Sequence, residues 1–134
     1  MFKNKANSEQ RGEKFILEIL EDKCLYHLIH PSKDGSANFT LDDFFVTFSH
    51  EYVNPETDEP LQVMPFWSKS FLPYAKKYGE GLEVDKMELE DFINEILPIM
   101  IDSHTIVGLN WDMGGAGLEI PPDVLYENLK KSFS

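Results

Sequence analysis

The sequence predicts one α+β domain, in which a mainly antiparallel sheet of about four or five strands carries helices packed mainly on one face. Three observations carry this prediction. The chain has 134 residues, a usual size for a single domain. Segments with helical spacing of apolar residues alternate with short runs rich in β-branched and aromatic residues. Short turns between several of these runs are typical of antiparallel hairpins.

The amino-acid composition argues against several classes of protein, among them disordered and nucleic-acid-binding proteins. Hydrophobic residues make up 42% of the chain and aromatic residues 13%, which argues against intrinsic disorder despite a net charge of −12. This acidic balance argues against binding to nucleic acid or to anionic membranes, because both need a basic surface. Cys24 is the only cysteine, so no internal disulfide can form. No signal-peptide core or long apolar stretch stands out, so the expected location is the cytoplasm.

The N-terminal half contains one helix and three strands. Residues 1–7 are predicted to be a flexible tail, and a single domain follows over 8–134. Phe15, Ile19 and Leu20 share one face of a helix. The strands are rich in β-forming residues and are separated by turn-forming residues. The predicted elements are a helix over about 9–22 and strands over 24–30, 44–49 and 61–67, the last two paired.

The C-terminal half begins with a helix that Ser68 or Ser70 can cap, with Pro73 in its first turn. Glu88 precedes an acidic helix, which Pro98 should bend or end. A hairpin then crosses a glycine-rich turn, and a proline pair opens the last helix. The predicted elements are a helix near 70–78, a short extended piece over 82–87, an acidic helix from 89, strands over 105–111 and 118–120, and a final helix from 121.

The order of these elements resembles a family of small bacterial proteins known only as a domain of unknown function. Two departures from the family pattern stand out. Extra residues occupy 34–57, and 110–112 read Asn-Trp-Asp where family members tend to carry an aromatic residue and a proline. The resemblance implies a small bacterial cytoplasmic α+β protein and carries over no catalytic residues. The matching stretches are 11–19, 65–78, 88–98, 107–117 and 120–129.

Acidic residues are concentrated in two runs. Residues 80–95 hold seven acidic residues with Lys86 as the only basic one, and residues 42–59 hold six with no lysine or arginine. One interpretation is a solvated helix face and a loop. The alternative is a surface that captures a basic protein, because such charge steers association. The candidate partner-binding residues are Phe66, Trp67, Glu83, Asp85, Glu88, Asp91, Trp111 and Asp112.

Three of these candidates are aromatic residues at strand ends. Phe66 and Trp67 end one strand, and Trp111 ends another. If both strand ends lie at the same edge of the sheet, the rings can line a pocket or anchor a partner. Alternatively, they fill the core where helices cross the sheet.

Residues that often carry chemistry are present in no complete arrangement. His27 and His30 point to opposite faces of one strand, so they are poorly placed to share a metal ion. No spacing brings His50 and His104 together. Cys24 stands at the start of an apolar strand, where cysteine usually behaves as a buried hydrophobic residue. We therefore predict no catalytic residue, no cofactor and no metal site.

The leading functional hypothesis is a non-enzymatic, protein-binding module whose partner is a basic protein. A concrete version is an immunity-like or antitoxin-like protein, by analogy with small acidic proteins that mask basic toxins. The alternative is a small-molecule-binding or enzymatic domain with a pocket near Trp67 and Trp111. A structural subunit is a third possibility, and the oligomeric state is left open.

Overall fold

The computed structural model describes residues 2–30, 44–112, 114 and 117–133, and the side chains within these ranges except those of 2–9, 50 and 133. The elements along the chain are α1 (Phe2–Asp22), β1 (Cys24–Ile29), β2 (Thr47–Val53), β3 (Pro60–Trp67), a 3₁₀ turn (Lys69–Phe71), α2 (Leu72–Tyr78), β4 (Glu83–Glu88), α3 (Leu89–Asp91), a π-helical segment (Phe92–Ile96), α4 (Leu97–Ser103), β5 (Ile106–Leu109), β6 (Leu118–Ile120) and α5 (Pro122–Phe133).

The six strands of the described residues form one sheet with the order β4-β1-β3-β5-β6, and β2 also pairs with β3. Every pairing is antiparallel except that of β3 with β5. The mainly antiparallel α+β fold is therefore confirmed, but four or five strands is too low a count. The predicted extended piece over 82–87 forms β4, which pairs with β1 along its whole length because Met87 packs into the core.

Helices cover the two faces of the sheet unequally. On one face, Leu25 and Phe66 pack in a large apolar cluster with residues of α1, of the helical region 89–103 and of α5. On the opposite face, Leu28 and Trp67 pack in a smaller cluster with Ala75 of α2. Among the described helices, the short α2 is the one on this second face, which confirms helices packed mainly on one side.

Helix α1 is longer than the sequence predicts. It begins at Phe2, so residues 2–7, which were predicted to form a tail, continue the helix. Phe15 and Ile19 are fully buried, which confirms the predicted apolar face. A Cβ atom on Gly12 would lie 2.5 Å from Cδ2 of Leu118, so α1 crosses very close to β6.

The acidic helix contains an irregular turn that changes the effect of Pro98. Residues 92–96 form a π-helical segment between α3 and α4. Pro98 lies in the first turn of α4, directly after this π-helical segment, and the backbone stays right-handed helical through Ile96 and Leu97. Of the two predicted effects of Pro98, an end to the helix is wrong, since α4 continues to Ser103, and the irregularity beside the proline is the π-helical segment.

Strand β2 contains a bulge that carries a buried polar contact. The register with β3 shifts between Phe48 and Val53. Within the bulge, Ser49 Oγ accepts hydrogen bonds from the backbone N–H groups of Glu51 and Tyr52, at 3.0 and 2.7 Å. The same hydroxyl donates a short hydrogen bond to Glu119 Oε1 of β6. The bulge therefore ties β2 to a strand with which it has no backbone pairing.

The last third of the fold follows the sequence prediction. Strands β5 and β6 pair antiparallel, as expected for the predicted hairpin. Helix α5 begins at Pro122, as the proline pair indicates. Three residues of the predicted glycine-rich turn, 113, 115 and 116, lie outside the described residues.

Candidate functional site

Four acidic candidates lie together at the β4 edge of the sheet. Glu83, Asp85 and Glu88 belong to β4, and Asp91 ends the short helix that follows it. Glu83, Glu88 and Asp91 are exposed, and the Asp85 side chain is 38% exposed. β4 is the end strand of the sheet order. The sequence run over 80–95 therefore becomes one exposed, acidic strand and the turn after it.

Asp85 differs from its neighbours because it has a buried partner. Its Oδ2 lies 3.1 Å from Nε2 of His27, a residue of β1 that is 1% exposed. The His27 ring also makes an edge-on contact with Phe44, with 4.5 Å between ring centroids. Burial lowers the pKa of His27, and the Asp85 carboxylate only partly opposes this effect. The buried imidazole is therefore held mainly in its neutral form near neutral pH.

The three aromatic candidates lie inside the protein. Phe66 and Trp67 are 0% exposed and Trp111 is 2% exposed. Trp67 Nε1 donates to the backbone oxygen of Trp111 at 2.8 Å, and Trp111 Nε1 donates to that of Leu118 at 3.2 Å. Of the two interpretations of these rings, filling the core is confirmed, and the prediction that they offer a surface to a partner is wrong. No described cleft has either tryptophan in its lining.

Asp112 lies away from the four acidic candidates at the β4 edge. It follows β5, and strands β1 and β3 lie between β5 and β4. Its Oδ2 lies 3.8 Å from Nη1 of Arg11, and its Oδ1 accepts a hydrogen bond from the backbone N–H of Gly114 at 2.9 Å. Asp112 thus joins α1 to the turn after β5.

Asn110 holds a buried polar cluster that the sequence analysis missed. Its backbone has φ of 51°, a left-handed conformation that asparagine tolerates well. Its Oδ1 accepts a hydrogen bond from the backbone N–H of Ser68 at 2.8 Å, and its Nδ2 donates to the backbone oxygen of Arg11 at 3.1 Å. The departure from the family pattern at 110–112 was the one available signal. This amide joins α1, β3 and β5.

The two serines that were predicted to cap α2 have other partners. Ser68 makes no side-chain capping bond, because its hydroxyl lies 3.0 Å from Asn110 Nδ2. Ser70 Oγ donates to Glu18 Oε2 at 2.6 Å. Burial would raise the pKa of Glu18, but the serine hydrogen bonds outweigh burial and lower it. The capping prediction is therefore wrong, since tertiary contacts engage both hydroxyls.

The second acidic run lies apart from β4. Its described acidic residues are on β2 and in the β2–β3 turn, and Asp42 and Asp43 lie outside the described residues. Glu56 of this turn and His104 line a cleft of about 380 Å³. His104 and Leu61 also line a neighbouring cleft of about 260 Å³ that includes the proline pair at the start of α5.

No further chemical centre is visible in the part of the chain that the structure describes. There, no group of three or more His, Cys, Asp or Glu side chains is placed to hold a metal ion. Cys24 is buried, with 7% of its surface exposed. Among the described helices, none combines the length and apolar character needed to cross a membrane.

Comparison with known proteins gives a family and no activity. No curated protein and no solved structure matches the chain significantly. A family model described as a protein of unknown function, DUF2750, matches residues 13–129, which include the six described strands, about half of α1 and most of α5. This chain belongs to the DUF2750 family.

Proposed function

We propose that this protein is a non-enzymatic binding module that recognises a basic protein through its acidic edge. The acidic edge consists of Glu83, Asp85, Glu88, Glu90 and Asp91. The single observation that carries the proposal is the placement of these carboxylates along one end strand and the turn after it. Four of the five are exposed. Lys86 is the only basic residue within β4.

Electrostatics explains what such an edge can do. Exposed charges interact within a screening length of about 10 Å at 0.1 M salt, so closely spaced carboxylates act on one partner together. Complementary charge raises the rate of association and selects against acidic partners. Binding that depends on the acidic edge should therefore weaken as salt increases.

Among the described hydrogen bonds and ion pairs, Asp85 is the one residue of the acidic edge that has a side-chain partner. Glu18 and Glu119 accept hydrogen bonds from serine side chains. Asp85 is bound to His27 from one side and remains 38% exposed. A binding role for the edge therefore uses mainly Glu83, Glu88 and the two acids of α3, with Asp85 contributing its charge.

The test compares two variants with equal changes in charge. The edge variant carries Glu83→Gln, Glu88→Gln, Glu90→Gln and Asp91→Asn. The control variant carries Glu13→Gln, Glu21→Gln, Asp102→Asn and Glu127→Gln, four acids that are also exposed and lie on helices elsewhere. Each protein is immobilised and used for capture from a lysate of the native host at low and at high salt, with mass spectrometry as the readout.

We expect the wild type and the control variant to retain the same basic protein at low salt and to lose much of it at high salt. The edge variant should lose it at both. Equal retention by the edge variant would refute the acidic edge as the binding surface. Loss from both variants would show that only the total charge matters.

A concrete version is an immunity-like or antitoxin-like role in the bacterial cytoplasm. It is supported by analogy in charge and size, as in the sequence analysis. If the captured protein stops growth when it is expressed alone, coexpression of the wild type should restore growth and coexpression of the edge variant should not. A captured protein with no effect on growth would refute the immunity-like or antitoxin-like role. The proposed protein-binding function would not be affected.

A further inference from the structure

The acidic edge includes a sheet edge as well as a row of charges. We propose that the partner binds by adding an extended, basic segment to β4 as a further strand. This inference rests on the proposed function and specifies how the acidic edge engages its partner. Addition of a strand to an open sheet edge is a recurring mode of peptide recognition, in which backbone hydrogen bonds supply affinity and side chains supply specificity.

The open side of β4 has no paired strand among the described residues. β4 is the end of the sheet order and pairs with β1 on its other side. Its six residues are in continuous register with β1, without a bulge. Natural sheets usually protect such an edge with bulges or prolines, and β4 has neither. Among the described residues, the protection that β4 shows is its charged side chains.

The hydrogen bonds around β4 show which backbone groups face the open side. The Leu89 N–H donates to the Lys23 carbonyl oxygen at 3.0 Å, one step beyond the Cys24–Glu88 pair. Hydrogen-bonded and non-hydrogen-bonded pairs alternate along an antiparallel ladder. The Cys24–Glu88 pair is therefore a non-hydrogen-bonded pair. The backbone N–H and C=O groups of Glu88 consequently point away from β1.

The same alternation applies two and four residues earlier, so the backbone groups of Val84 and Lys86 point outward with those of Glu88. A hydrogen bond on the far side of β1 supports this assignment. The Phe45 N–H donates to the carbonyl oxygen of Leu28 at 2.9 Å, and Leu28 is the register partner of Val84. The Leu28 carbonyl therefore points away from β4, as the alternation requires. Three N–H groups and the C=O groups of Val84 and Lys86 are thus placed for a new strand, whereas Glu88 is the N-cap of α3 and its C=O serves that helix.

Side-chain alternation specifies the occupant. Glu83 and Asp85 lie on the same sheet face as Met87, the face that the long helices cover. Val84, Lys86 and Glu88 lie on the other face. An added strand would place every second side chain beside Glu83 and Asp85. Lysine or arginine at alternate positions fits this arrangement, because opposite charges on neighbouring strands stabilise their pairing.

The same charges disfavour a second copy of this chain as the occupant. Pairing β4 with itself would bring Glu83, Asp85 and Glu88 of both copies to one seam, and Lys86 could offset only part of the repulsion. Like charges placed directly across a pair of strands destabilise that pair. A basic segment of another protein therefore fits the edge better than self-association.

The first test uses a synthetic peptide of alternating lysine and threonine, followed by NMR. The amide hydrogens of Val84, Lys86 and Glu88 should exchange more slowly when the peptide is bound. Two further peptides carry N-methyl groups, one on every lysine and the other on every threonine. Because only one set of peptide N–H groups faces β4, one methylated peptide should lose binding tenfold or more and the other should keep it. Equal binding of both would overturn strand addition.

The second test changes one residue of the open edge. Lys86→Pro removes an outward N–H, and Lys86→Gln removes the same charge but keeps the N–H. An edge strand tolerates proline at an outward position, so β4 should still pair with β1. Lys86→Gln should bind the lysine–threonine peptide at least as tightly as the wild type, and Lys86→Pro at least tenfold more weakly. Equal binding by the two variants would overturn strand addition, and the methylated peptides decide the question if Lys86→Pro does not fold.

These outcomes separate the two proposals. Equal binding by the two Lys86 variants, with loss of binding in the edge variant, would leave capture by charge intact and remove strand addition. Full binding by the edge variant would remove the acidic edge itself. Sedimentation of the wild type provides the last outcome, because a dimer that Lys86→Pro disrupts would identify a second copy as the occupant and overturn the proposal.

Discussion

The two edges of the sheet differ in how they treat their carboxylates. At one edge, the six residues of β4 lie in regular register with β1, and Glu83 and Glu88 are exposed. At the other edge, the three residues of β6 include Glu119, which is 8% exposed and accepts a hydrogen bond from Ser49. The acidic residues of β4 therefore face solvent, whereas the acidic residue of β6 is buried and hydrogen-bonded.

Contacts from other elements explain this difference. Helix α1 approaches β6 so closely that a Cβ atom on Gly12 would lie 2.5 Å from Leu118 Cδ2. The Trp111 indole hydrogen-bonds to the backbone of Leu118 from within the core. The β6 edge is closed in the sense that β6 packs against α1 and the core. β4, by contrast, keeps an outward row of backbone groups. The unpaired backbone groups of an open edge can pair with other chains and cause aggregation. Such an edge is therefore either protected or used to bind a partner.

The largest effect should follow from damage beneath the closed edge. Trp111→Ala removes a side chain that is 2% exposed and leaves a cavity beside Gly108. The free energy of unfolding should fall by about 3–5 kcal/mol, as for other buried large-to-small changes. Urea denaturation measures this loss. Leu17→Ala, at a residue that is 68% exposed, is the control and should change stability by less than about 0.5 kcal/mol. Similar losses in both would contradict the closed-edge description.

A smaller effect is expected for the hydrogen bond that ties β2 to β6. Ser49→Ala removes a donor to the buried Glu119 and an acceptor for two backbone N–H groups. The expected cost is about 1–3 kcal/mol. Glu119→Gln should also destabilise the protein, and the double variant should cost less than the sum of the two, since the residues are in contact. Strictly additive losses in chemical denaturation would show that the two side chains are not coupled.

The stability of the protein should depend on pH through His27, the buried partner of Asp85 at the open edge. Burial lowers the pKa of His27, so the folded state favours the neutral imidazole. As pH falls below the ordinary histidine pKa of about 6.5, the unfolded chain takes up a proton before the folded one does, and stability decreases. The charged group that faces the ring is Asp85 of β4, and Phe44 and Phe66 contribute apolar contacts.

Thermal unfolding between pH 7.5 and 5.5 measures this effect. His27→Gln should flatten the decrease, since glutamine does not titrate. His30→Gln is the matched control, because His30 is exposed and lies just beyond the end of β1. It should keep the pH dependence of the wild type. If the stability of His27→Gln still decreased as the pH fell, another titratable group would be the cause.

The two edges also differ in how far the sequence predicts them. Local signals mark the β5–β6 hairpin, because the apolar run, the glycine-rich turn and the proline pair all lie within about one strand length of each other. β4 carries charges at four of its six positions and its pairing partner, β1, lies far along the chain. The local pattern therefore predicts only a short extended segment. That this segment is a strand of the sheet follows from its pairing with β1.

The candidate site shows the same limit. The concentration of acidic residues over 80–95 can be read directly, since charge is a property of the sequence itself. Trp67 and Trp111 are buried next to Asn110, whose side chain joins three elements through contacts over long sequence separations. Likewise, the contact of Asp85 with His27 spans 58 positions. Such contacts arise from tertiary packing, and no local pattern specifies them.

The smallest expected effect gives the most direct comparison of the edges. Glu88→Gln and Glu119→Gln make the same chemical change on the two end strands. Glu88 is exposed, so its neutralisation should change the free energy of unfolding by less than about 0.5 kcal/mol. The loss in Glu119→Gln should be clearly larger, because that carboxylate is buried and hydrogen-bonded. An equal loss in Glu88→Gln, measured by urea denaturation, would mean that the β4 edge is packed within the protein and is not available to a partner.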